Sequence, residues 1–103
     1  MFEEFEEITY LISKVSDVLE MHPQTIRHYE RIGLIKPKRS RGNVRRYSRD
    51  DIKKLEHIAV FADMGVNLAG IEIILKLLDQ VENLKMEVEK YRKHFAIQVR
   101  KEI

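Results

Sequence analysis

Apolar residues recur every three or four positions along most of this 103-residue chain, which is the spacing that predicts amphipathic helices. The first such stripe is short and consists of Val15, Val18 and Leu19, with Ser13 placed to cap the helix. Ile8, Tyr10 and Ile12 instead occupy every second position, which predicts a short strand. We therefore expect a strand followed by a helix at the start of the folded chain.

Pro23 and Gly33 delimit a second predicted helix. Proline suits the first position of a helix, and glycine suits the position just past its end. Ile26 and Tyr29 lie on the apolar side of this helix. Its polar side is basic and consists of Gln24, Arg27, His28 and Arg31. Two short helices joined by a tight turn, with a basic stripe on the second, predict a helix-turn-helix.

The next stretch, "KRSRGNVRR" at residues 38–46, predicts a hairpin. Gly42 and Asn43 form a turn signal, and the flanking residues 36–39 and 44–48 are expected to pair as strands. Such a hairpin would be a wing beside the helix-turn-helix. The alternative is an irregular basic loop without strand pairing.

Two further helices are expected after the wing. Ser48 and Asp51 form a capping box at the start of the third helix, and Gly65 ends it. The predicted inward residues of the third helix are Ile52, Leu55, Ala59 and Ala62. Asn67 is placed to cap the fourth helix, whose predicted inward residues are Leu68, Ile71, Ile74, Leu75 and Leu78.

From Ile74 onward the apolar residues step alternately by three and four, which is a heptad pattern. The residues expected to form a dimer interface are Leu77, Val81, Leu84, Val88, Tyr91 and Phe95. The alternative is a helix that packs back on its own domain. The predicted fold class is mainly α. The predicted organisation is an acidic extension at 1–7, a winged helix-turn-helix domain at 8–78 and a coiled-coil dimerisation helix at 79–103.

Composition narrows the functional classes. Hydrophobic residues make up 44% and charged residues 35%, which is typical of a globular domain. The absence of cysteine excludes thiolate catalysis and cysteine-based metal sensing. The acidic start is unlike a signal peptide and no apolar run approaches a membrane span, so we expect a cytoplasmic location without membrane contact. The four histidines lack metal-ligand spacing, and no nucleophile–base pair or phosphate-binding loop is present, so neither an enzyme nor a cofactor is expected.

Charge is distributed unevenly along the chain. Residues 22–49 hold nine lysines and arginines but one acid, Glu30. Ordinary protein surfaces mix both signs, whereas a concentrated positive region indicates a polyanion partner. Double-stranded DNA fits this pattern, because phosphates placed between the wing cations relieve their repulsion.

Side-chain chemistry assigns roles within this basic region. Arg27 can pair with guanine and Gln24 with adenine, while Thr25 can reach a phosphate or a thymine methyl group. His28 is either a donor to DNA or simply a solvent-exposed residue. Tyr47 either stacks on a sugar or packs in the core, and core packing is the preferred interpretation.

The stretch from Tyr10 to Leu55, with the patterns "TIRHYERIGLI" and "RRYSRDDI", resembles the DNA-binding domain of the MerR family. Within that family, "MHPQTIRHYE" together with "GVNLAGIEIIL" resembles the heat-shock repressor (HspR) branch. The resemblance covers about residues 8–80. The C-terminal helix matches the family in kind rather than by motif.

This resemblance implies a winged-helix dimer, joined by an antiparallel coiled coil, that binds an inverted repeat and represses chaperone and protease genes. It also implies an Hsp70-type chaperone as a co-repressor. The residues expected at the DNA are Gln24, Thr25, Arg27, His28, Tyr29, Arg31, Lys38, Arg39, Arg41, Arg45, Arg46 and, in a second wing, Asn67. Two positions depart from the family: Glu20 stands where glycine is usual, and His22 stands where many relatives have a capping serine.

Three other functions fit parts of the pattern. An effector-responsive MerR-type activator would need a sensing domain or cysteine ligands. An excisionase-like architectural protein shares the winged helix but seldom carries a long heptad helix. A coiled-coil adaptor, with its basic wing on an acidic protein, would show no DNA binding at low salt.

Overall fold

The computed structural model describes residues 8–102. The described chain is mainly helical, with one small antiparallel sheet. Its elements are α1 (Ile12–Leu19), α2 (Pro23–Arg31), β1 (Lys38–Arg39), β2 (Arg45–Arg46), α3 (Arg49–Asp63) and α4 (Leu68–Glu102). The acidic extension predicted at 1–7 lies outside the described residues.

Helix α1 begins earlier than its sequence predicts. Its N-cap is Leu11, which makes no side-chain cap bond, so the prediction that Ser13 caps the helix is wrong. The expected strand at 8–12 is reduced to one antiparallel bridge between Tyr10 and Tyr47, with two N–H···O bonds of 2.8 Å. Because Ile12 is already helical, too few extended residues remain for a longer strand.

The turn between α1 and α2 contains both departures from the family pattern. Glu20 is left-handed, with φ 52° and ψ 41°, and its N–H bonds the carbonyl of Ser16. A non-glycine residue in this conformation costs about 1 kcal/mol. His22 caps α2, because its Nδ1 accepts the N–H of Gln24 at 3.0 Å. Histidine therefore performs here the role that serine has in many helix caps.

Helix α3 starts at the predicted capping box. The N–H of Asp51 donates to Ser48 Oγ at 3.1 Å, and the N–H of Ser48 donates to Asp51 Oδ2 at 2.9 Å. The predicted inward stripe is partly wrong, because Ala62 is exposed and Ile58 is fully buried. Burying isoleucine removes far more apolar surface from water than burying alanine, so the helix turns Ile58 inward.

The core of the first part of the chain draws one or two residues from each element around it. The residues that are at most 1% exposed up to the end of α3 are Val15, Ile26, Ile35, Tyr47, Leu55 and Ile58. Both short helices, the end of the hairpin and α3 therefore all contribute to the core.

Helix α4 is continuous for 35 residues. The chain divides into two compact units after Leu68, so nearly all of α4 forms the second unit. Ile71 and Leu75 are buried as predicted, but Leu68 and Leu78 are exposed, contrary to the prediction. The expected boundary between residues 78 and 79 lies within this unbroken helix.

Candidate nucleic-acid interface

Helix α2 presents different chemistry on its two sides. Ile26 is fully buried and anchors the helix in the core. Gln24, His28 and Arg31 are exposed, and Thr25, Arg27 and Tyr29 are half-buried. The His28 and Tyr29 rings lie 5.9 Å apart at an angle of 47°. The polar stripe identified in the sequence therefore lies on the outer side of α2.

The basic stretch forms the predicted hairpin rather than an irregular loop. Lys38 pairs with Arg46 and Arg39 with Arg45, in antiparallel register. The strands are shorter than predicted. Positive φ angles of 77° at Gly42 and 62° at Asn43 reverse the chain, which explains the residue types in the turn.

The register creates an electrostatic problem. It sets two pairs of like charges directly opposite each other, and such cross-strand pairs are destabilising. Glu30, in the last turn of α2, compensates one pair. Its Oε2 accepts from Arg45 Nε at 2.6 Å, and its Oε1 accepts from Arg39 Nη2 at 3.3 Å. One carboxylate thus fastens both strands of the wing to α2.

Arg46 projects from the other side of β2. Its Nε donates to Thr9 Oγ1 at 3.0 Å, and its Nη2 donates to the Thr9 carbonyl at 3.4 Å. The Tyr10–Tyr47 bridge lies next to this contact in sequence. Strand β2 is therefore held by α2 on one side and by the segment before α1 on the other.

The other residues predicted to form the two wings are exposed to solvent. Lys38 and Arg41 are exposed on the hairpin. Asn67, expected in the second wing, is exposed immediately before α4. The structure thus joins α2 to the hairpin cations through Glu30, while Thr9 joins Arg46 to the segment before α1. The sequence interpretation missed both residues. One feature of the sequence could have drawn attention to Glu30: it is the single acid among the nine lysines and arginines of residues 22–49.

Tyr47 lies beneath this ionic cluster. It is fully buried, which confirms the preferred core interpretation. Burial raises the pKa of its phenol, and the Glu30 carboxylate raises it further, while Arg45, Arg27 and Arg39 act in the opposite direction. Among the described residues, its hydroxyl has no hydrogen-bond partner.

Helix α4 carries a second candidate surface. The predicted dimerisation residues are between 46% and 74% exposed, which is high for large apolar side chains. They are Leu77, Val81, Leu84, Val88, Tyr91 and Phe95. Such rows are typical of interaction surfaces, because single-chain proteins rarely leave contiguous apolar patches open to water.

Within residues 8–102, no group of three or more histidines and acids stands close enough to hold a metal ion. Over the same residues, no helix has both the length and the apolar character needed to cross a membrane.

Comparison with known proteins identifies the fold. The family model for MerR helix-turn-helix regulatory proteins matches residues 10–78, which is two thirds of the chain. This chain belongs to the MerR family. The MerR resemblance of its sequence patterns is thereby confirmed, together with the winged helix-turn-helix and the long C-terminal helix.

Two curated relatives show where the chain lies within the MerR family. It is 44% identical over 77 residues to a putative heat shock protein HspR from Streptomyces coelicolor, covering 74% of this chain and 51% of the relative. It is 37% identical over 79 residues to the regulator GlnR from Bacillus anthracis, covering 76% and 61%. The chain therefore spans about half to three fifths of these relatives' lengths.

Solved structures agree with the MerR assignment. A MerR-family transcriptional regulator from Bacillus cereus superimposes with a TM-score of 0.63 at 25% identity, covering 89% of this chain and 75% of that one. HiNmlR, a MerR family regulator lacking the sensor domain and bound to promoter DNA, gives 0.62 at 20% identity, covering 85% and 79%. At 20% identity, the similarity to HiNmlR shows a shared fold.

The buried phenol generates a prediction about stability. Tyr47→Phe should raise the free energy of unfolding at pH 7 by about 1 kcal/mol, because it removes a buried hydroxyl without a partner. The raised pKa means that the folded state holds the phenolic proton more tightly than the unfolded chain. The wild type should therefore lose stability as pH rises above about 10, and the variant should lack this component.

Urea unfolding of both chains from pH 7 to pH 11 measures the two effects. Tyr29→Phe, which removes a hydroxyl from a half-buried ring outside the apolar row of α4, is the control and should change stability at pH 7 by no more than about 0.5 kcal/mol. A Tyr47→Phe chain clearly less stable than the wild type at pH 7 would show that the hydroxyl is well bonded.

Proposed function

We propose that this MerR-family chain is a sequence-specific repressor of heat-shock and chaperone genes that binds inverted-repeat operators as a dimer. The observation that carries the DNA-binding part is the outward polar stripe of α2 fastened beside a basic hairpin. The repressor role and the target genes are supported by the similarity to HspR.

Base reading is assigned to α2. Arg27 and Gln24 carry the side chains that suit guanine and adenine edges in the major groove. The neighbouring contacts are proposed for Thr25, His28, Tyr29 and Arg31. Such contacts specify sequence, whereas contacts to phosphate set position.

Phosphate contacts are assigned to the wings. Lys38 and Arg41 are exposed and can approach the backbone directly. An arginine has five N–H donors, so the intramolecular bonds of the other wing arginines use only part of their capacity. The complete proposed set is Lys38, Arg39, Arg41, Arg45 and Arg46, with Asn67 in the second wing.

Dimerisation is assigned to the exposed apolar row of α4. Burying one large apolar side chain is worth about 1.5–3 kcal/mol. Six such residues from each chain offset the entropy lost on association. An antiparallel coiled coil, as the family resemblance implies, would give the dimer two copies of α2 for the two halves of an inverted repeat.

The remaining parts of the proposal follow from this role. The protein would act in the cytoplasm, without catalytic activity or a cofactor. An Hsp70-type chaperone is proposed as its co-repressor, on the similarity to HspR alone.

The first prediction concerns base reading by Arg27. Arg27→Lys keeps the charge but loses the planar fork that pairs with guanine. Affinity for the operator should fall by about 1–3 kcal/mol, while affinity for unrelated DNA should change much less. Titration against both duplexes measures the difference, with Lys38→Ala as the control that should weaken both alike. Equal losses for Arg27→Lys would show that Arg27 contacts phosphate.

The second prediction concerns assembly. Leu84→Glu places a charge in the apolar row and should convert the dimer to a monomer, because a carboxylate is costly to bury without a partner. The preference for two half-sites over one should fall with it. Light scattering and DNA titration measure the two effects.

Asn83→Glu adds the same charge at the neighbouring position outside the heptad row, and is expected to leave the dimer intact. A wild-type chain that is already monomeric at tens of micromolar would exclude this interface.

The third prediction concerns the chaperone. Purified Hsp70-type chaperone should strengthen operator binding when it is titrated into the same assay. An operator affinity that does not change, with or without nucleotide, would remove the chaperone from the proposal and leave the DNA-binding role standing.

A further inference from the structure

We propose that Glu30 is a positioning residue of the DNA interface, which sets the wing against α2 and withholds Arg39 and Arg45 from non-specific phosphates. Glu30 would thereby raise the selectivity of DNA binding and lower its total strength. This inference rests on the proposed DNA-binding function. It adds a residue that affects the selectivity of DNA binding without itself contacting DNA.

The geometry is specific to Glu30. The two oxygens of its carboxylate accept from different wing strands, at 2.6 Å from Arg45 and 3.3 Å from Arg39. The Glu30 side chain is only 17% exposed, whereas those of the two arginines are 32% and 38% exposed. The carboxylate is therefore the inner member of the cluster, with the guanidinium groups above it.

The stability of α2 alone does not account for an acid at this position. Glu30 lies in the last turn of the helix, where the helix dipole favours cations and disfavours carboxylates. His28 and Arg31 in the same turn follow the favourable rule. The wing arginines offset the unfavourable position of Glu30, so its contribution is to join α2 to the wing.

The hairpin register explains why the wing needs this carboxylate. Arg39 stands directly opposite Arg45, and the two positive charges repel. Arg39 is also fixed to the turn, since its Nη1 donates to the Asn43 carbonyl at 3.2 Å. With Glu30 in place the pair is compensated and the strands are held. Without it, the two guanidinium groups would turn toward any available anion.

DNA phosphates are the anions that compete with Glu30. Glu30 fixes the direction in which the free donors of Arg39 and Arg45 point, so a phosphate on an arbitrary sequence must draw an arginine out of that orientation to bind it, which weakens non-specific binding. At a matching site, the wing is already aligned with the base-reading stripe of α2, and little rearrangement is needed. Preorganisation of this kind favours the correct complex over the others.

Glu30→Gln tests the proposal, with Glu56→Gln as the matched control. The control removes the same charge from an exposed position on α3. Two duplexes serve as probes: one selected by the wild-type chain from a random pool, and a shuffled duplex of equal composition. Affinities are measured from 50 to 200 mM salt, because the salt slope counts the phosphates that the protein neutralises.

Glu30→Gln should bind the shuffled duplex more tightly than Glu56→Gln does. Its salt slope on that duplex should be steeper by about 1 to 2 per chain, equivalent to an affinity that falls roughly 4- to 16-fold more across this salt range. Its ratio of selected to shuffled affinity should fall. A role in stability alone would weaken both complexes without steepening the slope.

A slope or a ratio equal to that of Glu56→Gln would overturn the proposal. Glu30→Asp keeps the charge on a side chain shorter by one methylene, and its slope should lie between the wild type and Glu30→Gln. If Glu30→Gln does not fold, the salt slope of Glu30→Asp on the shuffled duplex is the test instead. A slope equal to that of the wild type would then overturn the inference. A wild-type chain that selects no sequence would overturn the proposed function as well, which separates the two failures.

Discussion

One carboxylate between two guanidinium groups joins helix α2 to the wing. Strand pairing alone would press Arg39 against Arg45, and the polar stripe of α2 would have no fixed relation to the hairpin. Glu30 accepts from both arginines and so solves both problems with one side chain. The same network lies above the buried phenol of Tyr47, which links the ionic surface to the apolar core.

A second set of contacts attaches the wing to the segment before α1. Arg46 bonds the hydroxyl and carbonyl of Thr9, and the backbone bridge between Tyr10 and Tyr47 continues that contact. The wing is therefore attached to the segment that precedes the helix-turn-helix as well as to α2. A two-residue strand pair would be marginal in isolation, and these external contacts supply what its short ladder lacks.

Local rules predicted much of the fold. The ends of α2 followed from Pro23 and Gly33, the start of α3 from a capping box, and the wing turn from Gly42 and Asn43. Each of these features depends on residues within four positions of one another, so it can be predicted without knowing the tertiary structure. Predictions failed where several residues competed for one role. Ser13 does not cap α1 because the helix begins at Ile12, two residues earlier than a helix capped by Ser13 would.

The candidate site was predictable in composition and unpredictable in its internal pairing. Helical periodicity alone placed Gln24, Arg27, His28 and Arg31 on one side of α2, and charge alone marked the hairpin as basic. The partnership of Glu30 with arginines 9 and 15 positions away was decided only when folding brought α2 against the wing, because no sequence spacing encodes that approach. Burial was decided in the same way: the pattern predicted Ala62 in the core and not Ile58, and packing in three dimensions selected the larger side chain.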